Sequence, residues 1–233
     1  MGIIDLGIIV IIGISVLFAV YYGFSISLCN IGSFILSWFI SLITHPFLTR
    51  VIARKHPDFL EKIAYYSEGS SKIPFSDRVL PVVSLSENQI SKAIETSGLP
   101  RPFSNSIRFN LLRQNLSGMD NLGQYFDYTV VNIILNLMSF FIIFLILQVL
   151  FKLAISFISH TIELPMLRKH DGLSAGVLGL FRGVLFLFII TAFVPLLYLV
   201  VPADFMAGLL DGSKLIHFFI KGNLFTSFIK GVF

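Results

Sequence analysis

At 233 residues the chain is 55% hydrophobic and only 13% charged, about half the charged share of a soluble domain. Its apolar residues fall in long blocks, which excludes an ordinary soluble domain and points to an integral membrane protein. The net charge of +4 is dispersed, so the chain has no basic stripe of the kind nucleic acid requires.

No Asp, Glu, Lys or Arg lies between Asp5 and Arg50. That run is too long for one crossing of a hydrocarbon core about 30 Å thick. It breaks best at Tyr21-Tyr22-Gly23-Phe24-Ser25, where aromatic residues and a glycine suit an interfacial hairpin. The expected helices cover about 3–22 and 26–48, with His45-Pro46 as the frayed end of the second, because the residue before proline avoids the helical region. No Lys or Arg precedes the first apolar block and no small-residue cleavage pattern follows it, so it is expected to be retained. Position 6 is not Ser or Thr, which disfavours myristoylation. Cys29 is the single cysteine. It offers no intrachain disulfide and no thiolate cluster, and is expected to be buried and inert.

A polar segment of about 50–128 follows the first hairpin (about 1–49). Ser86-Glu87-Asn88-Gln89 has the form of a capping box, ahead of Ile90 and Ile94 at helical spacing, with Gly98 and Pro100 as stop signals. A second helix at about 104–116, with Ile107, Leu111 and Leu112 to one side and Arg108 and Arg113 nearby, suits either the lipid surface or packing on its neighbours. Asn115-Leu116-Ser117 fits a glycosylation sequon, a pattern common by chance.

The second hairpin, about 129–203, has helices expected at about 129–155 and 175–201, with a kink at Pro195. An amphipathic tail of about 204–233 ends the chain. The fold class is thus all-α integral membrane: four transmembrane helices in two hairpins, with a helical polar insertion between helices two and three. Four crossings place both termini and the insertion on one side. The local Lys and Arg counts nearly balance across the membrane and leave the orientation open.

Helix two carries a polar stripe, Asn30, Ser33, Ser37, Ser41 and Thr44, spaced three or four apart. It reads either as a hydrophilic path or as helix packing through small residues and interhelical hydrogen bonds. Asn132, Asn136 and Ser139 repeat the theme on helix three. Asp171, Ala175, Gly179 and Gly183 recur every fourth residue and share one helix face. Small residues at that spacing let another backbone come close in lipid. Arg182 lies within the fourth apolar block, roughly 10 Å along its expected helix, where a charge costs about 2.5–3.5 kcal/mol. It suits an interface anchor that snorkels outward, or a substrate or lipid-headgroup site. Depth argues against an ion pair with Asp5, which starts helix one at the opposite surface.

His45, His56, His160, His170 and His217 show no H-E-x-x-H spacing, and no G-x-S-x-G elbow or Walker loop occurs. No acidic pair lies inside the spans for proton coupling. No catalytic, metal or cofactor residue is expected.

The layout resembles the colicin V production (CvpA) family of small bacterial inner-membrane proteins. That family has four helices, a Gly-Phe dipeptide closing helix one, and a D-x-x-x-G-x-x-x-G-x-x-[RK]-G signature entering helix four. Here these are Gly23-Phe24 and Asp171, Ala175, Gly179, Arg182 and Gly183. Asp5 matches the acidic residue that often starts helix one, and Ser213-Lys214-Leu215 resembles a short element after helix four. The family's usual Arg before Gly-Phe is Tyr22 here, the hairpin charges that follow are missing, and Ala175 stands at the first glycine with Gly176 beside it. The resemblance covers the two ends of the chain. It implies a non-enzymatic protein of the bacterial cytoplasmic (inner) membrane, without cofactor, needed for colicin V production or export and for envelope homeostasis. Basic first hairpins in the family would put that hairpin in the cytoplasm and the termini outside. The implied partners are the lipid bilayer, further copies of the chain, or an export complex. The competing reading is a small oligomeric transporter or channel subunit. A lipid-acting enzyme would need a nucleophile or metal site that the sequence does not offer.

Overall fold

In a computed structural model the chain is largely helical over the residues that the structure describes, 2–99, 103–112, 119–161, 171–200, 208, 210 and 212–223. Among them there is no strand, only an isolated bridge between Pro81 and Asn121. The helices are α1 Ile3–Tyr22, α2 Phe24–Lys55, α3 Pro57–Ser67, α4 Phe75–Arg78, α5 Glu87–Ser97, α6 Phe103–Leu112, α7 Leu122–Thr161, α8 Asp171–Thr191, α9 Val194–Val200 and α10 Lys214–Lys221. Four stretches are long and apolar enough to cross a membrane: Ile3–Tyr22, Phe24–Lys55, Leu122–Ile158 and Asp171–Leu197. The chain thus has the helices of a multi-pass membrane protein.

Several boundaries differ from the sequence expectation. Helix two does not fray at His45-Pro46. α2 continues to Lys55 with Pro46 inside it, as membrane helices allow. The next turn ties back onto the carbonyls beside the proline, with Thr49 Oγ1 donating to His45 O at 2.9 Å and Arg50 Nε to Pro46 O at 3.3 Å. α7 starts at Leu122 and not near 129, because Leu122, Tyr125 and Phe126 are buried and packing sustains the helix outside the apolar run. It also passes the exposed Lys152 to reach Thr161. α8 starts at Asp171 and not near 175. The kink expected at Pro195 is a break: a turn at Ala192-Phe193 separates α8 from α9, since proline has no N–H for the carbonyl four residues back. Cys29 is exposed, not buried, because it lies off the α2 face that buries Ile31 and Phe34.

The chain forms two compact units. The first comprises Met1–Ile43, Phe141–Val194 and Pro202–Phe225. In it α1 packs mainly on α8, and α10 touches both. α2 meets α7 through Phe34 and Phe144, edge to face at 5.2 Å, and through Gln148 Nε2, which donates to Ser33 O at 3.3 Å.

The second unit comprises Thr44–Phe140, Pro195–Val201 and Thr226–Phe233. Its core is bulky: Phe103, Ile107, Tyr125, Phe126 and Phe140 are fully buried. α5 begins at a capping box, with Ser86 Oγ accepting from Gln89 N and Gln89 Oε1 from Ser86 N, and ends at Gly98 in the left-handed region. α6 packs on α5, with Ile107 and Leu111 buried and Arg108 donating to Ser91 Oγ at 2.7 Å. That favours packing over a lipid-surface role for α6. Gly69 lies so close to α7 that a Cβ there would meet Phe126 O at 2.9 Å. Beside it Ser70 N donates to Asp127 Oδ1 at 2.6 Å. The sequon at 115–117 lies outside the described residues.

Candidate functional site

The small residues of α8 face α1. Ala175, Gly179 and Gly183 are buried. A Cβ at Gly179 would stand 2.6 Å from Ala19 Cβ and 2.7 Å from Ser15 O, and one at Gly183 would stand 3.2 Å from Ile12 Cα and from Ser15 Cβ. The two backbones are therefore in near contact, and Ser15 Oγ donates across the seam to Gly179 O at 2.8 Å. Gly176 is looser, since its Cβ would meet Val20 at an ordinary 3.5 Å. Such an approach recovers van der Waals contact in lipid, where apolar burial gives helices little reason to associate.

Each end of α1 is tied by an aspartate. At its C-terminal end the chain turns on the single residue Gly23, at φ 81° and ψ 172°, a conformation essentially restricted to glycine. A Cβ there would also lie 2.9 Å from Asp171 Oδ2. Phe24, the first residue of α2, donates its N–H to Asp171 Oδ1 at 2.7 Å. That N–H is one of the donors a helix leaves unpaired at its start, so Asp171 of α8 caps α2. Gly23, Phe24 and Asp171, read in the sequence as separate marks, thus meet at one point.

At the other end Asp5, buried within α1, accepts from Ser213 Oγ and, at 3.3 Å, from Leu215 N. Ser213 is itself the N-cap of α10, its Oγ accepting from Ile216 N. The negative carboxylate complements the positive end of the α10 dipole. The far end of α10 is held by Asn223, whose Nδ2 donates to Phe188 O at 2.8 Å and Thr191 Oγ1 at 3.0 Å on α8. Sequence spacing alone does not join Asp5 to Ser213, which stand 208 residues apart.

Arg182 is partly buried. α8 begins at Asp171, so Arg182 lies about 16 Å along it at 1.5 Å per residue, further from the helix start than the sequence suggests. Its neighbour Gly183 rests on Ile12 and Ser15, in the middle of α1. Among the described residues Arg182 makes no hydrogen bond or ion pair, and Asp5 is engaged elsewhere.

The helix-two stripe turns largely onto its own backbone. Ser33 Oγ donates to Asn30 O and Ser41 Oγ to Ser37 O, the back-bonding common for serine in helices. Ser33, Ser37 and Ser41 are buried, whereas Thr44 is exposed. His45 and Thr49 are the buried polar residues beyond it, and they continue the spacing of the stripe past Pro46. Ser37 Oγ, and separately Asn132 Nδ2 and Ser139 Oγ on α7, are buried without a hydrogen-bond partner. Among the described residues no group of three His, Cys, Asp or Glu lies together in a way that would hold a metal.

No protein-family model, curated protein or solved structure matches this chain.

Proposed function

We propose that the chain is a non-enzymatic accessory protein of the bacterial cytoplasmic membrane, crossing it four times in two hairpins, of the kind the CvpA resemblance implies: needed for toxin export and envelope homeostasis. The observation that carries this reading is the Asp171–Phe24 hydrogen bond. It joins the Gly-Phe dipeptide to the first residue of the helix-four signature, so both halves of the resemblance serve one local structure. The polar groups of this region bond to one another and to backbone, as a structural joint requires.

A deletion strain tests the proposal. Loss of the gene should raise sensitivity to detergents and bile-type stress and lower secretion of a colicin V-type peptide. The wild-type gene should restore both, and Asp171→Ala should not. Normal secretion and normal stress resistance in the deletion strain would sink the reading.

A second reading, an oligomeric transporter or channel subunit, draws on Arg182 and on the buried hydroxyl of Ser37, which has no hydrogen-bond partner. It requires solute flux in reconstituted liposomes that falls with Arg182→Ala.

A further inference from the structure

α10 is fixed at both ends to the α1–α8 pair. At its start Ser213 Oγ donates to Asp5, in the first turn of α1. Just past its end Asn223 Nδ2 donates to Phe188 O and Thr191 Oγ1, in the last turn of α8. α1 and α8 run in opposite directions, since Gly176 approaches Val20, Gly179 approaches Ala19 and Gly183 approaches Ile12. The start of α1 therefore lies beside the end of α8. α8 has 21 residues and is about 30 Å long at 1.5 Å per residue, the thickness of the hydrocarbon core. Asp171, at the Gly23 turn, marks one membrane surface, and Thr191 and Asp5 mark the other. α10 has eight residues and lies across the pair at that second surface.

The two sides of α10 differ in chemistry. Ile216 and Phe219 are buried, and Phe219 meets Phe188 edge to face at 5.0 Å. Lys214, His217 and Lys221 are exposed, and their spacing of three and four puts them together on the other side. Phe218, 64% exposed, and Leu215 lie beside them. α10 contains no Asp or Glu. Asp5, the carboxylate that meets it, is buried and engaged by Ser213. Among the described residues neither lysine side chain makes a hydrogen bond or ion pair. His217 Nδ1 donates to Ser213 O at 2.7 Å, which leaves Nε2 as the polar atom of the ring still open to a partner. Packing on α1 and α8 accounts for the inner side. It does not account for an outer side that joins three basic residues to an exposed phenylalanine. That mixture suits a helix lying in the membrane interface.

We infer that the outward side of α10 docks on anionic phospholipid headgroups, in the leaflet at the start of α1. Lys214 and Lys221 meet the phosphates as compact point charges, while Phe218 and Leu215 enter the boundary between headgroups and acyl chains. A second copy of the chain is a poor occupant, because two such basic sides repel. Asp5 and Asn223 tie α10 to both helices, so lipid held there also clamps the end of the α1–α8 seam opposite the Gly23 turn. This inference rests on α1 and α8 crossing the membrane and is independent of the export role.

The test uses the full chain with Cys29→Ser and Phe218→Cys, a fluorophore on the new thiol, reconstituted in mixed phosphatidylcholine–phosphatidylglycerol vesicles. One lipid or the other carries bromine on its acyl chains as a quencher. Both brominated lipids should quench the fluorophore, and phosphatidylglycerol should do so more strongly at equal content. Lys214→Gln should lower that preference about fivefold, the scale of one lysine at an anionic surface. Lys214→Gln with Lys221→Gln should abolish it, and raised salt should weaken it. Circular dichroism checks the fold of each variant, and the comparison of the two lipids with both lysines present stands by itself if a variant does not fold. No quenching by either lipid would put this side in water or against another protein and overturn the docking. Equal quenching by the two lipids, or a preference that survives in the folded double variant, would overturn it as well.

Discussion

The α1–α8 seam and the core of the second unit solve the same problem in opposite ways. In the seam the contacting residues are small, Ala19 against Gly179 and Ser15 against Gly183, while Leu17, Phe18 and Leu173 point outward and are exposed. In the second unit Phe103, Tyr125 and Phe126 are hidden and the surface carries the charges of α3 and α5. The difference is the one that contact with water in one place and with lipid in the other would produce. Where water is outside, burying a large side chain drives association. Where lipid is outside, a large side chain is equally content on either side, and only close backbone contact and hydrogen bonds favour the pair. The aspartates at the two ends of α1 fit this pattern, because each satisfies a helix N-terminus that lipid would leave unpaired.

The contrast can be broken from either side. Phe126→Ala removes a fully buried ring from the second unit and should destabilise that unit by about 3–5 kcal/mol, read as early protease cleavage within residues 57–112 while α1–α8 contacts persist. Gly179→Leu should separate α1 from α8 at a cost of about 1–3 kcal/mol, measured by denaturant unfolding in micelles. Ser86→Ala removes the α5 cap and should cost about 1 kcal/mol, with faster amide exchange confined to the first turn of α5. Gly176→Ala should be close to neutral, since its Cβ meets only an ordinary contact. If Gly176→Ala and Gly179→Leu behaved alike, close approach would not be what holds the seam.

Much of this was legible in the sequence, for definite reasons. The four-residue spacing of Asp171, Ala175, Gly179 and Gly183 marks a face without reference to any partner, so the face could be read and the identity of α1 as its partner could not. Ser86 and Gln89 specify a cap within four residues, so α5 was readable to its ends. Boundaries set by long-range contacts were not. α7 begins at Leu122 because Leu122, Tyr125 and Phe126 are buried, and α2 passes Pro46 because a membrane helix tolerates the missing bond. The bond from Ser213 to Asp5 spans almost the whole chain, and no local pattern announces it. Hydrophobicity alone underestimates how far Arg182 lies from the start of α8, because the helix begins at Asp171, ahead of the apolar run.

The most direct test of the α1–α8 seam is disulfide trapping in native membranes. Ser15→Cys and Gly183→Cys are combined in a Cys29→Ser background. A Cβ at 183 would lie 3.2 Å from that of Ser15, close to the separation of about 3.5–4.5 Å that a disulfide needs. Rapid intramolecular cross-linking under mild oxidation is the expected result, with a markedly slower reaction when Gly179→Leu is added. A pair that stays reduced, in protein correctly inserted in the membrane, would contradict the seam.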